Sequence, residues 1–455
     1  MKSMKIIVCG AGSVGRSIVS YLIKGNNDLI VIDNNQKSLD DLAQEFDILP
    51  VFGSASHPEV LEKADAKNAQ LLIAVTNVDE VNMVACEVAH SIFNIPRKIA
   101  RIDAQDFLEP LWATLYNDKN IPIDLIISPE IEIGKYISQM LKIPGASEVL
   151  PLFENKMYLI AFKMPKESPL IQVPLLNLGQ VAPDIQVEVV CISRRNNVFI
   201  PYKNDILEAG DEVYLLTPSD KIEEMVNAFG IEQPAVERVI IFGGNQISRY
   251  MGKLFEKDDN IISCKIIEED LLSARELAKD LNNTIVIQGP LMSDKILNEA
   301  GLSNADASIA VTMQDNDNLL ASMLARKSGV CNTIALVNSP SYNNLIEIVG
   351  DNILVDRSSV TISSILQELR KAAVINAYSL GRGFGEIWEM EIDEDSSIAG
   401  KTIRAIDLPA SSKICARLQN GEISYPSDNE VIKAGDIIIL YVDSMAIRKV
   451  EKILS

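Results

Sequence analysis

The stretch Gly10-Ala11-Gly12-Ser13-Val14-Gly15, with Asp33 roughly 20 positions beyond its first glycine, holds the residue types and spacing that point most directly to chemistry. Each glycine has its own task. Gly10 permits a tight turn, Gly12 lets backbone approach a pyrophosphate, and Gly15 lets a helix pack closely on the preceding strand. Free N–H groups and partial positive charge at the start of that helix complement phosphate oxygens. An acid at Asp33 can bind the ribose hydroxyls of an adenosine and repels a 2′-phosphate, so the pattern disfavours NADP.

Residues that would make and break bonds are sparse. A dehydrogenase, the alternative reading of such a loop, needs a proton donor or acceptor facing the nicotinamide. The chain has two histidines, His57 before Pro58 in a turn and His90 in a helical stretch beside Ala89, and both read as structural. The six cysteines (Cys9, Cys86, Cys191, Cys264, Cys331, Cys415) form no CxxC pair and mostly lie inside apolar runs, as buried thiols in a reducing compartment do. No metal site is expected. Asp393-Glu394-Asp395 reads as a solvated turn, with cation binding as the lesser alternative.

The elements that must position the glycine loop are legible around it. Lys5-Ile6-Ile7-Val8-Cys9 predicts a buried strand, residues 16–24 a helix, and Leu29-Ile30-Val31-Ile32 a second strand ending on Asp33. Helix at 38–46, strand at 48–52, helix at 58–64, strand at 71–75, helix at 79–94 and strands at 98–102 and 123–127 follow. Ser128-Pro129-Glu130 then reads as an N-cap, a first-turn proline and a first-turn acid. From Gly145 to Gly230 the runs become short and β-rich, a small α+β module with a turn at Ala209-Gly210-Asp211.

The arrangement then returns. Val239-Ile240-Ile241-Phe242-Gly243-Gly244 repeats the first strand and turn, and Cys264-Lys265-Ile266-Ile267-Glu268 repeats the strand that ends on an acid. Asp315 and Asn318 mirror Asp79 and Asn82, and Ala434-Gly435-Asp436 mirrors the turn of the small module. The fold class is α/β: two tandem Rossmann-like, doubly wound parallel-sheet domains, each followed by a small α+β domain. The expected boundaries are 1–144, 145–230, 236–382 and 383–455. Helical stretches 128–141 and 360–373 carry apolar residues on more than one face, which suits core packing and a crossover or hinge role equally.

Composition narrows the classes further. The 455 residues carry a net charge of −21, with no basic cluster longer than Arg194-Arg195, which excludes a phosphate-backbone partner and argues against adhesion to an anionic leaflet. A nucleotide-sensing transcription factor is disfavoured on the same ground. No apolar run approaches the roughly 18 residues that span a bilayer. The N-terminal apolar run is interrupted by Gly10, Gly12 and Gly15 and reads as a strand, not a signal peptide.

The glycine loop with Asp33, the segments Gly53-Ser54-Ala55-Ser56-His57-Pro58 and Ala74 to Ala85, Arg101 and both AGD turns together resemble a known family. The chain is similar along essentially its whole length to the nucleotide-binding regulatory subunits of Trk-type potassium-uptake systems. These are built from two tandem RCK (or KTN) units, each with an N and a C subdomain. The resemblance implies a non-enzymatic, peripheral subunit on the cytoplasmic face of the plasma (inner) membrane. It would assemble as a homo-oligomeric ring beneath a potassium-translocating (TrkH- or TrkG-like) membrane subunit. It further implies binding of NAD(H), and of ADP or ATP in several members, with nucleotide-dependent shape controlling the pore. On matching positions, Gly10, Ala11, Gly12, Ser13, Val14 and Gly15 would hold phosphates, Asp33 the ribose, Thr76 and Asn77 would flank the ligand, and Arg101 would lie near phosphate. The second copy offers Gly243, Gly244, Asn245 and Glu268 as counterparts, but Asn245 and Ser248 replace two glycines and Met313 replaces the asparagine. Val337 is expected near where an arginine would stand, and the second copy reads more readily as a structural pseudo-site.

Overall fold

A computed structural model describes residues 4–25, 27–108, 114–117, 119–143, 145–183, 185–195, 197–231, 234–338, 353–369, 374–381 and 383–454. They form two compact units, one of residues 1–132 with 360–369 and one of residues 133–359 with 370–455. The part of the 360–373 helical reading beyond 369 lies outside the described residues. Among the described residues no helix is long and apolar enough to cross a membrane.

The first unit is built on six parallel strands: β1 (Lys5–Cys9), β2 (Asp28–Asp33), β3 (Leu49–Phe52), β4 (Leu71–Ala74), β5 (Arg97–Arg101) and β6 (Leu125–Ile127). Their order, β3-β2-β1-β4-β5-β6, reverses direction between β1 and β4. That reversal opens a crevice at the carboxyl ends of the strands, where open α/β sheets take their ligands. Ile6, Ile7, Val8 and Cys9 of β1 are all buried, because helices cover both faces of a parallel sheet. Helix Ser13–Lys24 starts three residues before the pattern predicted. Gly15, the glycine within it, sits in its first turn, where little intrahelical bonding is lost.

The second unit repeats this sheet with β12 (Arg238–Phe242), β13 (Ser263–Glu268), β14 (Ile285–Gln288), β15 (Ala307–Ala310), β16 (Asn332–Val337) and β17 (Ile353–Asp356), in the order β14-β13-β12-β15-β16-β17. It also contains two five-stranded antiparallel sheets. One holds β7 (Ala146–Leu152), β8 (Met157–Lys163), β9 (Glu188–Arg194), β10 (Asn197–Phe199) and β11 (Glu212–Pro218). The other holds β18 (Val374–Leu380), β19 (Gly385–Glu391), β20 (Ser412–Gln419), β21 (Glu422–Ser424) and β22 (Ile437–Asp443). Strand β7 escaped the sequence reading because Glu148 and Pro151 interrupt its apolar run.

These two small sheets share one apolar core, in which Leu150, Tyr214, Leu380, Ile387, Cys415 and Tyr441 meet. The Tyr425 hydroxyl donates to the carbonyls of Gln186 and Leu216, both at 3.2 Å, and Lys413 pairs with Glu188. Both AGD turns serve the fold. Gly210 and Gly435 take φ of +84° and +83°, and Asp211 and Asp436 accept the N–H of Glu208 and Lys433, each at 2.8 Å. Asp393, Glu394 and Asp395 lie on an exposed turn.

Helix Pro129–Leu141 leaves the first unit at Glu132, and Gly134 packs so closely on Tyr250 that an added Cβ would lie 2.6 Å from its ring. Residues Val360–Leu369, from helix Arg357–Leu369, belong to the first unit.

Candidate functional site

Each glycine of the first loop is fixed by a different piece of geometry. Gly10 has φ +115°, and a Cβ there would fall 2.8 Å from the Val75 carbonyl oxygen. At Gly15 a Cβ would sit 1.8 Å from the Gly10 carbonyl oxygen, so helix and turn touch backbone to backbone. Gly12 differs, since a Cβ there would meet no atom within 4 Å. No fold constraint demands a glycine at Gly12, whereas a pyrophosphate approaching the backbone does. Gly12 is also the N-cap of helix Ser13–Lys24 and contributes no capping side chain, so the first-turn N–H groups of Ser13, Val14 and Gly15 meet no side-chain cap. That suits an anion.

Asp33 ends β2 beside this loop. Its Oδ2 accepts the Ala11 N–H at 2.6 Å and its Oδ1 the Asn35 N–H at 2.7 Å. A carboxylate has about four acceptor positions, so about two remain for ribose hydroxyls. Thr76 and Arg101 lie at the same carboxyl edge, after β4 and at the end of β5. Asn77 is exposed.

Arg101 is engaged with carboxylates. Its Nε donates to Asp103 at 2.8 Å, and its Nη2 lies 2.6 Å from Asp103 and 3.1 Å from Glu130. Burial alone would lower the guanidinium pKa, but Asp103 and Glu130 outweigh it and raise it. Burial likewise lifts the Asp103 carboxyl above its ordinary range, and Glu130 adds to the rise against the pull of Arg101. One guanidinium thus meets two carboxylates.

The family model of the TrkA-N domain matches residues 6–129 and 239–356, and that of the TrkA-C domain matches residues 159–230 and 387–455. The chain belongs to the TrkA family. It is 34% identical over 450 residues to the Trk system potassium uptake protein TrkA of Azorhizobium caulinodans, covering 99% of this chain and 98% of that one. With the TrkA of Vibrio alginolyticus it shares 34% over 442 residues, 96% of each. The fold is also that of the GsuK RCK domain (TM-score 0.62, 17% identity, 99% of this chain and 95% of that one). The GsuK channel bound to NAD is similar in fold as well (TM-score 0.60, 17% identity, 99% and 79%).

The second TrkA-N copy keeps the frame and changes the loop. Gly243 has φ +97°, and the Gly244 N–H donates to Glu268 as that of Ala11 does to Asp33. Asn245, however, turns its side chain onto the helix behind it. Its Oδ1 accepts the N–H groups of Ile247 at 3.0 Å and Ser248 at 3.2 Å, while its Nδ2 donates to the Val311 carbonyl. The donors that would face phosphate are satisfied from within. Ser248 is fully buried and donates its hydroxyl to the Gly243 carbonyl. Met313 is 69% exposed at the place of Asn77. The arginine position belongs to Leu336, one residue before the Val337 that spacing suggested, because Leu336 offers its carbonyl to Asn318 as Arg101 does to Asn82.

Those two asparagines escaped attention as site residues, although their matched recurrence with Asp79 and Asp315 was the signal. Asp79 accepts the N–H groups of Asp103 (3.1 Å) and Ala104 (2.9 Å), and Asp315 accepts that of Asn338 at 3.0 Å. A helix-start acid holds the loop after the neighbouring strand in both copies.

Proposed function

We propose that this chain is the non-enzymatic regulatory subunit of a potassium-uptake system, binding one NAD(H), ADP or ATP in its first TrkA-N copy. Gly10 to Gly15 would take the phosphates, Asp33 the ribose, Thr76 and Asn77 the flanks, and Arg101 a phosphate oxygen in exchange for its acids. The observation that carries the reading is Gly12, a glycine with open space at its Cβ beside an uncapped helix start. Asn245 in the second copy supports a ligand-free pseudo-site there. The matching relatives are TrkA proteins of potassium uptake, and GsuK is a channel bound to NAD in one structure and to ADP in another. Four domains divide near 144, 235 and 382. A peripheral position on the cytoplasmic membrane face, a homo-oligomeric ring and a potassium-translocating partner complete the proposal.

The mechanism is population shift: a nucleotide moves the assembly only by its differential affinity for two shapes, and turning 1:99 into 99:1 takes about 5.5 kcal/mol. Several sites per ring can sum to that. Calorimetric titration of the full chain with NADH, NAD, ADP, ATP and NADPH tests it. One site per chain, with NADPH poorest, is expected. Absence of binding by all five would overturn the sensing role, and two sites per chain would overturn the pseudo-site.

A further inference from the structure

One fully buried side chain joins the two strand ends that flank the candidate site. Asn82, in helix Asp79–Ser91, accepts at Oδ1 the Thr76 N–H at 2.9 Å and the Thr76 hydroxyl at 2.7 Å. Its Nδ2 donates to the carbonyls of Thr76 at 3.0 Å and Arg101 at 2.9 Å. Two donors and two acceptor positions on one planar group are what a primary amide supplies.

The contacts lead in two directions. On one side, the Thr76 backbone nitrogen backs onto the first loop glycine, since a Cβ at Gly10 would lie 3.0 Å from it. On the other, Arg101 reaches Glu130 in the first turn of helix Pro129–Leu141. The phosphate loop and the start of that helix therefore meet through one amide.

We propose that Asn82 is a positioning residue for the nucleotide site. It fixes the Thr76 backbone, and through it the Gly10 turn, and holds that assembly in register with the strand end bearing Arg101. This rests on the nucleotide-binding reading of the first TrkA-N copy. Asn82 is fully buried with its amide committed to Thr76 and Arg101, so its effect on affinity passes through the residues it holds.

The second copy supplies an internal control. Asn318, also fully buried, accepts the Thr312 N–H and hydroxyl, both at 2.7 Å, and donates to the carbonyls of Thr312 at 3.0 Å and Leu336 at 2.8 Å. Network and burial match those of Asn82, so the folding cost of removing either amide is comparable. What differs is the loop each one supports.

Asn82→Ala and Asn318→Ala in the full chain, each followed by thermal unfolding and by calorimetric titration with NADH and ADP, separate the two roles. Both variants should lose similar Tm. Asn82→Ala should weaken nucleotide binding by about 10-fold at unchanged stoichiometry, while Asn318→Ala stays within about 2-fold of wild type. Should either alanine variant fail to fold, Asn82→Asp and Asn318→Asp, which keep the acceptor half and lose both donors, are read in the same way. A folded Asn82 variant that binds like wild type overturns the inference alone. Equal weakening by the Asn318 variant does the same. If wild type binds neither nucleotide, the nucleotide reading falls and this inference with it.

Discussion

The two loops that follow the first strand of each large sheet share a frame and differ in who satisfies the helix start. In the first, Gly12 presents bare backbone, and no side chain caps the following helix. In the second, the Asn245 amide accepts two first-turn N–H groups. Compared with a glycine, an N-cap of this kind adds roughly a few tenths of a kcal/mol to a helix. The first copy forgoes that stabilisation, and a bound anion would supply it. A duplicated chain thus holds a loop that folds best alone beside one that folds best with a partner.

The third glycine gives the sharpest way to break this comparison. Gly15→Ala would drive a Cβ to 1.8 Å from the Gly10 carbonyl oxygen and should destabilise the chain by about 3–5 kcal/mol in urea unfolding. Ser248→Ala, at the same place in the second copy, removes one hydrogen bond and should cost about 1 kcal/mol. Equal losses would mean that the two helix starts sit alike on their turns.

Next in size is Gly12→Val. Its Cβ enters open space, so unfolding should shift by only about 1 kcal/mol from the poorer N-cap, whereas NADH and ADP affinity should fall by about 100-fold, or about 2.7 kcal/mol. Retained binding would remove the phosphate role from this loop. Asp33→Ala should weaken binding by a smaller factor of about 10 through the lost ribose contact.

The small sheets differ between copies too. Glu148, opposite Ala161, occupies the position that Asn376 takes opposite Glu389. Burial pushes the Glu148 carboxyl up to about 8; the Gly381 N–H, donated from the other small sheet at 3.0 Å, pulls it down, and Glu212 adds to the rise. A carboxyl raised in the folded state favours folding at low pH. Stability from this group is fully present below the unfolded pKa of 4.5 and falls as pH rises toward about 8. Glu148→Gln should therefore flatten the pH dependence by roughly 1 kcal/mol per pH unit between those limits. Parallel curves for wild type and variant would show that Glu148 is solvated.

The smallest expected effect is that of Asn245→Ala, which should cost about 1 kcal/mol of stability and leave nucleotide stoichiometry at one per chain. A second bound nucleotide would identify the Asn245 side chain as all that closes the second loop.

Much of the fold was legible because parallel strands buried on both faces are continuous apolar runs, and β1 ends where its pattern ends, at Cys9. The candidate site was legible because its glycines and Asp33 lie within one βαβ unit, so local spacing encodes their proximity. Strand β7 was not legible, since Glu148 breaks its pattern and is accommodated by donors from Gly381 and Tyr214, both far along the chain. Asn82 was visible as a repeated letter but not as a junction, because its partners Thr76 and Arg101 stand on two different strands.

The sequence by itself determined the duplication, the order of elements and the need for glycine at Gly10 and Gly15, since these rest on close backbone approaches that a side chain forbids. Only the tertiary structure decided that the two small sheets share a core. It also decided that Asn245 caps its own helix and that Leu336 holds the arginine position. Those outcomes depend on which distant groups meet once the chain has closed, and no local period or spacing carries that information.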